Sequence, residues 1–562
     1  MGEVSYVCGS TARGLLYQTI GETLRKAAQA YPERDALVIR HQGVRLSYAQ
    51  FDAEVTRLAR ALLAVGLQSG DRVGIWSPNR LEWVLTQFAT ARAGIILVNI
   101  NPAYRRAELD FVLRKVGCRA LLMAPRFKSS DYVGLMRGLV SAGDLRGGGQ
   151  VRSEAYPELN WLVTLGEERF EGFLPFAGLI EQAQALDPGL LSAVERTLDP
   201  DQAVNIQFTS GTTGLPKGAT LTHFNIVNNG FFVGEGMRLG PEDVVCIPVP
   251  LYHCFGMVLG VLAAVTHGAA MVFPSEAFEP YATLQAVAEE RCTALHGVPT
   301  MFIAELDHPQ FGEFDLSSLR TGIMAGAPCP ITVMRRVVAE MHMRDITICY
   351  GMTETSPVSF QTSVEDPLEK RVTTVGRVHP HVQVKLLDEH GKVPPRGEPG
   401  EICTRGYSVM RGYGDDPQRT AEAVDAGGWM HTGDLAVLDA EGYCNIVGRV
   451  KDMIIRGGEN VYPREIEEYL YRHPKVLDVA VVGVADYKFG EEVCAVIRLR
   501  EGVTASEQEI IEFCRGEIAH YKIPRYVRFV EEFPLTVTGK VQKYLIREFL
   551  EREFGTVAER TA

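Results

Sequence analysis

A glycine- and hydroxyl-rich stretch at residues 209–218 constrains this chain more than any other. Its ten residues include four hydroxyl side chains, three glycines and Lys217. Glycines let a backbone approach an anion closely, and the hydroxyls and the ammonium supply hydrogen bonds and charge. Apolar and polar residues alternate over 204–208, which predicts a strand, and Thr222 is a predicted helix cap. The sequence therefore predicts a phosphate-binding loop between a strand and a helix.

The same stretch does not fit the phosphate loop of P-loop ATPases and GTPases. That motif requires Gly-Lys-Ser or Gly-Lys-Thr, whereas here Pro216 precedes the lysine and Gly218 follows it. A flexible linker is the alternative, but a linker rarely carries Pro-Lys-Gly shortly after an apolar strand. Anion binding in a different type of loop is therefore the preferred interpretation.

The length and the pattern of apolar runs predict a multidomain α/β protein. At about 150 residues per domain, the 562 residues correspond to roughly three or four packing units. Short apolar strands alternate with helices over 15–125 and 244–360, which indicates βαβ units and parallel sheets covered on both faces. We predict a large N-terminal domain at residues 1–449, whose last part, about 372–449, is a small β subdomain or barrel. A hinge at 450–451 and a smaller α+β domain at 452–562 follow.

Composition and terminal features argue against several functional classes. Acidic residues number 70 against 57 basic ones, so nucleic acid is not an expected partner. The eleven cysteines form no Cys-x-x-Cys pair and no His/Cys cluster at metal-ligand spacing, which predicts a reduced, cytoplasmic setting without structural zinc. The N-terminus has no signal or transit features, and the most apolar window, 257–273, is short for a transmembrane span of about 20 residues.

The loop and six further segments resemble a known family. The loop reads Thr-Ser-Gly-Thr-Thr-Gly-Leu-Pro-Lys-Gly, which is similar to the signature of the adenylate-forming superfamily of acyl-CoA synthetases, luciferases and peptide-synthetase adenylation domains. The resemblance extends over about residues 20–550. The further segments follow in the order typical of the family, at residues 251–256, 326–328, 350–355, 429–435, 448–463 and 534–541.

The resemblance implies an ATP site with three parts. Family members use the loop for the phosphates, a Gly-Ala-Pro segment and a following aromatic for adenine, and an aspartate and an arginine for the ribose. Taken singly, Tyr350 would pass as a strand-end aromatic and Asp434 as a turn residue. The corresponding positions are Thr209, Ser210, Gly211, Thr212, Thr213 and Gly214 for phosphate, Gly326, Ala327, Pro328, Tyr350 and Gly351 for adenine, and Asp434 and Arg449 for ribose.

Five further positions are implied to take part in the chemistry. Lys217 and Thr353 would contact the phosphates, and Glu354 would hold Mg²⁺, a hard cation that prefers carboxylate and phosphate oxygens. His253 would lie beside the substrate carboxylate at the start of the acyl tunnel, and Lys540 would reach the site during adenylation. In isolation, His253 is equally consistent with a core histidine, Glu354 with a helix N-terminal acid, and Thr-Gly-Lys with a hairpin turn.

The resemblance also implies a C-terminal domain that moves. Lys451 occupies the hinge position, where many family members have aspartate, and Gly457 and Gly458 would line the passage for the pantetheine of coenzyme A. Lys540 and this glycine segment would serve different half-reactions at one active site. The domain is therefore expected to rotate about the hinge between them.

The implied activity is the ATP-dependent ligation of a carboxylic acid, expected to be a fatty acid, to coenzyme A through an acyl-AMP intermediate. Residues 431–463 and 534–543 are most similar to fatty acyl-CoA synthetases of the medium-chain family-member-2 type. About twenty residues follow Lys540, too few for a fused carrier domain, so coenzyme A is the expected acceptor. The alternatives are an aryl-CoA ligase, a stand-alone enzyme that loads an acyl carrier protein and, from another class, a non-catalytic nucleotide sensor. Peripheral membrane contact and a homodimer are left open.

Overall fold

Two large sheets organise the part of the chain before residue 380, and one of them gains a last strand from residues 412–413. The computed structural model describes residues 3–187, 189–209, 216–327, 329–456, 459–486, 488–536 and 540–554. Both sheets are mainly parallel and helices connect many of their strands. Side chains of both sheets meet in one hydrophobic cluster, to which Ile75 contributes from the first sheet and Leu37 from the second. The predicted α/β class is confirmed.

The first sheet has eight strands and carries the predicted phosphate loop. The strand Ala203–Thr209 leads into the loop, and Lys217–Thr222 returns antiparallel to it. In order across the sheet the strands are Leu174–Pro175, Trp161–Thr164, Ala120–Met123, Arg72–Trp76, Ile96–Ile100, Ala203–Thr209, Lys217–Thr222 and Gly412–Tyr413.

The strand Lys217–Thr222 corrects one expectation, because the sequence predicted that the loop would run directly into a helix. Ala219 and Leu221 are fully buried, and this residue pattern extends the sheet before the helix begins. The predicted cap is confirmed, since Thr222 accepts a hydrogen bond from the backbone N–H of Asn225 at 3.1 Å and the helix follows at His223–Gly236.

The second sheet has nine strands, and the apolar window 257–273 lies against it. That window is buried helix and strand, as predicted, and comprises the end of a π-helix at Phe255–Leu262, the helix Ala263–His267 and the strand Ala270–Phe273. In order across the sheet the strands are Arg377–Val378, Val358–Gln361, Asp345–Gly351, Thr321–Ala325, Ala294–Gly297, Val244–Cys246, Ala270–Phe273, Asp35–Ile39 and Val44–Ser47.

Helices cover the faces of both sheets. None of the helices in the described ranges is long and apolar enough to cross a membrane. The other α-helices before residue 450 are Ile20–Ala30, Tyr48–Ala64, Leu81–Arg92, Arg106–Val116, Tyr132–Leu139, Phe176–Glu181, Leu190–Glu195, Pro280–Glu289, Pro299–Leu306, Ile331–Glu340, Leu368–Thr373 and Pro417–Ala423. Short 3₁₀ turns lie at Arg40–Gln42, Ala142–Asp144, Gln182–Ala185, Phe311–Glu313, Thr353–Thr355 and His520–Lys522, and a two-stranded hairpin pairs Arg126–Phe127 with Ser130–Asp131.

A third sheet, of five antiparallel strands, occupies the region for which a small β subdomain or barrel was predicted. Its first strand in the chain, Tyr6–Cys8, comes from the N-terminus and pairs with Val382–Leu387. Inward-facing residues alternate with outward-facing ones along Val382–Leu387, as expected for a sheet with one covered face. In order the strands are Tyr6–Cys8, Val382–Leu387, Pro399–Gly406, Met430–Leu438 and Cys444–Arg449.

The chain after residue 452 builds its own sheet and its own hydrophobic clusters. Both clusters consist of residues from Ile454 onward. The long strand Gly490–Leu499 lies at the centre of the sheet and pairs with Val476–Asp486, with Ile454–Arg456 and, in parallel, with Tyr526–Phe529, while Glu459–Val461 pairs with Ile454–Arg456. The helices Pro463–Leu470, Glu507–Cys514 and Lys543–Phe554 complete the unit.

Candidate active site

A buried carboxylate lies where the first and second sheets approach each other. Glu354 belongs to a short 3₁₀ turn that follows the strand Asp345–Gly351, and it is 5% exposed. Its Oε1 accepts hydrogen bonds from the hydroxyl of Thr209 at 3.2 Å and from the hydroxyl of Tyr413 at 2.8 Å. The structure therefore brings together residues from three distant parts of the sequence.

Tyr413 was not predicted as a site residue. It lies on the strand Gly412–Tyr413, which pairs with Lys217–Thr222 so that Tyr413 is opposite Ala219. The Lys217 ammonium lies 5.2 Å from the centre of the Tyr413 ring. Burial, followed by the charge of Glu354, raises the pKa of the Tyr413 hydroxyl, which is therefore a hydrogen-bond donor at neutral pH. A Gly-Tyr pair alone gives no signal of this contact, because sheet register creates it.

Asp434 forms the second polar centre of the site. The Tyr350 hydroxyl donates a hydrogen bond to Asp434 Oδ2 at 2.7 Å, and Arg449 Nε donates one to Oδ1 at 2.9 Å. Burial, followed by the Asp434 charge, raises the pKa of Tyr350. Burial by itself would lower the pKa of Arg449, but the charge of Asp434, together with that of Asp452 and the hydrogen bond to Asp434, outweighs burial and raises it. Three predicted nucleotide-binding residues therefore form one hydrogen-bonded group.

A bulge in the third sheet aims Asp434 at this group. The register of Pro399–Gly406 against Met430–Leu438 shifts between Glu401 and Cys403, and Gly433 within the bulge has a φ of 71°. Glycine adopts this left-handed backbone without strain. The bulge is held because Glu401 Oε1 accepts a hydrogen bond from the Gly433 N–H at 3.0 Å and Ile402 O accepts one from the Thr432 hydroxyl at 2.8 Å.

The predicted adenine segments lie beside these groups, at the ends of two neighbouring strands. Thr321–Ala325 ends directly before Gly326, and its neighbour Asp345–Gly351 ends with Tyr350 and Gly351. A Cβ at Gly351 would lie 1.7 Å from the Pro357 carbonyl oxygen, so a side chain cannot be accommodated there. Ala327 is half-buried. Parallel strand ends of this kind are where open α/β sheets bind ligands.

The buried thiol of Cys254, which follows His253 in the chain, contacts Thr353. The His253 Nδ1 accepts a hydrogen bond from the Phe255 N–H at 3.2 Å. Cys254 Sγ also donates to Gln207 Oε1 at 3.3 Å. Burial, and then the positive charge of Lys540, lowers the pKa of His253 to about 3, so its imidazole is neutral at physiological pH.

Gln207 is the second residue that the sequence interpretation did not assign to the site. It is 2% exposed, and its Nε2 donates to Met257 Sδ at 2.9 Å. On the same strand Asn205 is 1% exposed and donates to Asn99 Oδ1 at 2.9 Å. The alternation of apolar and polar residues over 204–208 could have indicated these contacts. Both faces of this strand are buried, so its polar residues need hydrogen-bond partners inside the protein.

Lys540 brings the C-terminal unit to the site. Its N–H donates to Thr536 Oγ1 at 3.0 Å, and its carbonyl oxygen accepts from the Thr536 N–H at 2.8 Å. Burial, and then the Arg449 charge, lowers the pKa of the Lys540 ammonium, while Asp434 and Glu354 act in the opposite direction. The lysine therefore lies within electrostatic range of both carboxylate centres.

The predicted hinge is joined to the same region. The Val450 N–H donates to the Gly433 carbonyl oxygen at 2.9 Å, directly beside Asp434. Burial, and then the Arg449 charge, lowers the pKa of Lys451. The remaining predicted positions lie outside the described residues; these are Ser210, Gly211, Thr212, Thr213, Gly214, Pro328, Gly457 and Gly458.

Comparison with known proteins decides the family. The family model described as AMP-binding enzyme matches residues 24–414, and the one described as AMP-binding enzyme C-terminal domain matches residues 465–540. The chain belongs to the AMP-binding enzyme family. The resemblance on which the predictions were based is therefore confirmed, and the two matched ranges lie on either side of the predicted hinge.

Other members of this family are similar over nearly their whole length. The chain is 49% identical to the putative acyl-CoA synthetase YngI of Bacillus subtilis (strain 168), over 95% of this chain and 97% of that protein. It is 45% identical to the mitochondrial medium-chain acyl-CoA ligase ACSF2 of Danio rerio, over 98% and 91%. Among solved structures, ATP-bound MatB from Rhodopseudomonas palustris superposes with a TM-score of 0.82 at 29% identity, over 96% of this chain and 100% of that chain. The anthranilate CoA ligase AuaEII with anthranoyl-AMP gives 0.83 at 26%, over 95% and 97%.

Proposed function

We propose that this chain is an AMP-forming acyl-CoA synthetase. It activates a carboxylic acid with ATP to give acyl-AMP and pyrophosphate, and it then transfers the acyl group to coenzyme A with release of AMP. The observation that carries the proposal is the position of Lys540, whose ammonium is coupled electrostatically to Glu354, Asp434, Arg449 and His253 although it comes from the other end of the chain. The names of the relatives support the same reaction.

The nucleotide is bound through the two carboxylate centres. Asp434 and Arg449 receive the ribose, since a carboxylate accepts hydrogen bonds from two hydroxyl groups and the guanidinium fixes its orientation at 2.9 Å. Lys217 and Thr353 contact the phosphates, and Tyr350 packs against adenine. Binding of ribose then replaces the Tyr350 hydroxyl as the partner of Asp434, which frees the ring to turn toward the base.

Glu354 has the donor chemistry that a magnesium ion requires. Its carboxylate is buried and is accompanied by the hydroxyl oxygens of Thr209 and Tyr413, an oxygen-only set of the kind that hard cations prefer. When bound, Mg²⁺ would neutralise charge on the ATP phosphates. Thr209 and Tyr413 hold the carboxylate in place for this role, and both hydroxyl groups donate to its Oε1.

The first half-reaction is an in-line displacement at the α-phosphate. A carboxylate oxygen of the acid forms a bond to this phosphorus while the bond to the β-phosphate oxygen breaks, and pyrophosphate leaves with the electron pair. Lys540 stabilises the negative charge that develops between the carboxylate and the phosphate. His253 is neutral, so it orients the acid by hydrogen bonding and does not neutralise it.

The second half-reaction uses the thiol of coenzyme A. The thiol loses its proton to solvent, its sulfur bonds to the acyl carbon, the bond from this carbon to the AMP oxygen breaks, and AMP leaves with the electron pair. We propose that the unit after residue 452 rotates about residues 450–451 between the two steps, so that Lys540 withdraws and Gly457 and Gly458 line the thiol passage. The domain limits predicted from the sequence are part of this proposal.

We propose a medium-chain fatty acid as the substrate. The support comes from relatives at 43–45% identity that carry the name medium-chain acyl-CoA ligase. An aryl acid is the second candidate, because the structure of an anthranilate CoA ligase superposes with a TM-score of 0.83. Cytoplasmic localisation, a homodimer and peripheral membrane contact stay as sequence-based expectations; the ACSF2 relatives are named as mitochondrial.

The deciding experiment measures acid-dependent release of pyrophosphate from ATP with a panel of acids, followed by acyl transfer to coenzyme A or to an acyl carrier protein. We expect release with aliphatic acids of six to twelve carbons (roughly the medium-chain range) and transfer to coenzyme A. Release with benzoate or anthranilate alone would favour the aryl ligase, and transfer to the carrier alone would favour the carrier-loading enzyme. Nucleotide binding without acid-dependent pyrophosphate release would indicate that the chain is a non-catalytic nucleotide sensor.

A further inference from the structure

Three side chains of the third sheet form a group separate from the residues placed in the ATP site. Cys403 and His431 are directly opposite each other on the paired strands Pro399–Gly406 and Met430–Leu438. Glu401 lies two residues before Cys403 on the same strand, and side chains at that spacing point to the same face. One ligand atom of each residue lies within 4.8 Å of the other two.

The distances within the group suit a metal ion. His431 Nδ1 lies 3.5 Å from Cys403 Sγ and 3.1 Å from Glu401 Oε2. In a tetrahedral zinc site with bonds of about 2.0–2.3 Å, nitrogen and sulfur are separated by about 3.6 Å and nitrogen and oxygen by about 3.3 Å. An ion therefore fits between these atoms after shifts of a few tenths of an ångström (roughly the tolerance of such sites).

A second carboxylate faces the other ring nitrogen of the histidine. Asp425 Oδ2 lies 3.7 Å from His431 Nε2, and the backbone N–H groups of Gly427 and Trp429 hold Asp425 at 2.8 and 2.9 Å. Histidines that bind metal through one nitrogen usually present the other to a carboxylate or carbonyl, which fixes the ring. Asp425 is therefore placed to support the histidine in this way once the pair closes from 3.7 Å to hydrogen-bond distance.

The charges in the neighbourhood favour a divalent cation. With the thiol deprotonated, Glu401, Cys403 and Asp425 carry three negative charges, against which Lys385 and Arg405 supply two positive ones from the Trp429 ring, whose centre lies 4.5 and 4.4 Å from their cationic groups. An ordinary ion pair between Glu401 and His431 would explain the 3.1 Å contact. That ion pair leaves out the Cys403 thiol, which strand register places 3.5 Å from the same ring nitrogen, whereas one bound cation satisfies all three groups.

We propose that Glu401, Cys403 and His431 bind one soft divalent cation of the zinc class, and that Asp425 orients the histidine. A thiolate, an imidazole and a carboxylate select zinc over magnesium and calcium, so this site is distinct from the proposed magnesium position at Glu354. Three protein ligands leave a fourth position for water. Binding releases the thiol proton, because the thiolate is the ligand.

The site adjoins the bulge that carries Asp434. Glu401 Oε1 accepts a hydrogen bond from the Gly433 N–H at 3.0 Å, and the Gly433 carbonyl oxygen accepts one from the Val450 N–H at 2.9 Å. A cation on Glu401 Oε2, the oxygen beside His431, would hold this carboxylate in place. The ion would therefore stiffen the backbone between the ribose aspartate and the proposed hinge.

The test uses the full chain, stripped of metal by a chelator that is then removed. Titration calorimetry with Zn²⁺ should give one ion per chain, and Co²⁺ should produce thiolate charge-transfer absorption and the visible bands of a tetrahedral ion. Both readouts are independent of turnover, which needs ATP and its own cation. Cys403→Ser and His431→Gln should each weaken Zn²⁺ binding at least about 100-fold, and Asp425→Asn about 10- to 100-fold.

Two matched variants control for binding elsewhere. Cys8→Ser removes the exposed thiol and His390→Gln an exposed histidine, and both should bind Zn²⁺ as tightly as the wild type. Should Cys403→Ser fail to fold, as judged by its melting temperature without metal, His431→Gln decides alone. A wild type that binds neither Zn²⁺ nor Co²⁺, or ligand variants that bind as tightly as the wild type, would overturn the proposal. Loss of binding in Cys8→Ser would overturn it as well.

Discussion

The carboxylates of the candidate site and the lysine that faces them are positioned in different ways. Glu354 follows a strand of the second sheet, and Asp434 lies on a strand of the third sheet. Both are at most 9% exposed, and each accepts two side-chain hydrogen bonds. Lys540 is half-buried and its backbone is tied to Thr536 alone among the described residues. A buried carboxylate with two partners moves at a high cost, whereas a short loop can withdraw. The difference suits a scaffold that serves both half-reactions and a lysine that serves one.

The largest expected effect comes from the rigid side of this comparison. Glu354→Gln should abolish acid-dependent pyrophosphate release at ordinary Mg²⁺ while the melting temperature stays close to that of the wild type, because the amide keeps the buried volume but lacks the charge proposed to hold Mg²⁺. Turnover and thermal unfolding are measured on the same preparation. Glutamine is preferred to alanine, since alanine would leave the hydroxyl groups of Thr209 and Tyr413 buried without their acceptor.

A second buried glutamate provides the matched control. Glu305 on the helix Pro299–Leu306 is 1% exposed, and neither carboxylate oxygen has a hydrogen-bond partner among the described residues. Burial raises the pKa of Glu305 and so favours its protonated form, which an amide resembles. Glu305→Gln should leave turnover unchanged. Normal turnover in Glu354→Gln, or equal losses in both variants, would show that charge at Glu354 is not required.

The next effect separates the lysine from the scaffold. Lys540→Ala should slow acyl-AMP formation by about 10²–10³, or roughly 2.7–4 kcal/mol, because one preorganised charge-stabilising group is lost. Given acyl-AMP and coenzyme A, the same variant should form acyl-CoA at close to the wild-type rate. Rapid-quench measurements of each step provide the test. A parallel loss in both steps would mean that Lys540 has a structural role that both half-reactions need.

Acid should destabilise the rigid part of the molecule. Burial lowers the pKa of His223 and His379 to about 3 and that of His296 to about 4, below the usual 6.5. The unfolded chain therefore binds protons that the folded chain does not, and stability falls as the pH drops from 6.5 to about 4. The slope is about 1.4 kcal/mol per pH unit for each histidine. His379→Gln should flatten the dependence by this amount in denaturant titrations at pH 7, 6 and 5, and an unchanged slope would contradict the buried, neutral state.

The smallest effect tests how the two regions are connected. Lys451→Pro fixes φ and removes an N–H, so it should hinder rotation about residues 450–451. We expect slower acyl transfer to coenzyme A with little change in acyl-AMP formation, measured as separate half-reactions. Lys451→Ala is the control, since it removes the charge and keeps backbone freedom. If proline and alanine have the same effect, or if both steps slow equally, the lysine side chain and not the hinge accounts for the result.

Much of the candidate site could be predicted because its residues belong to contiguous motifs. Thr209, Tyr350, Glu354, Asp434 and Arg449 were assigned from the resemblance, and the structure brings them together in hydrogen-bonded groups. Local patterns also predicted the Thr222 cap and the burial of 257–273 correctly. Motifs succeed here because each encodes a short backbone conformation together with the side chains that it presents.

The sequence interpretation failed where neighbours come from distant segments. The strand Lys217–Thr222 was expected to be the continuation of a loop, but pairing with Ala203–Thr209 and Gly412–Tyr413 made it part of the sheet. The contact of Tyr413 with Glu354 depends on that register. Strand pairing depends on tertiary packing as much as on local propensity, so a single short segment does not reveal it.

The family, the α/β class and the residues of the nucleotide motifs could therefore be predicted from the chain without its fold, because they follow from local chemistry at fixed spacing. Only the packed structure creates the contact of Tyr413 with Glu354, the bulge at Gly433, and the group of Glu401, Cys403 and His431. In that group the histidine follows the cysteine by 28 residues, so spacing gave no indication of a metal site. The physical reason is that antiparallel register places residues far apart in sequence on one face of a sheet.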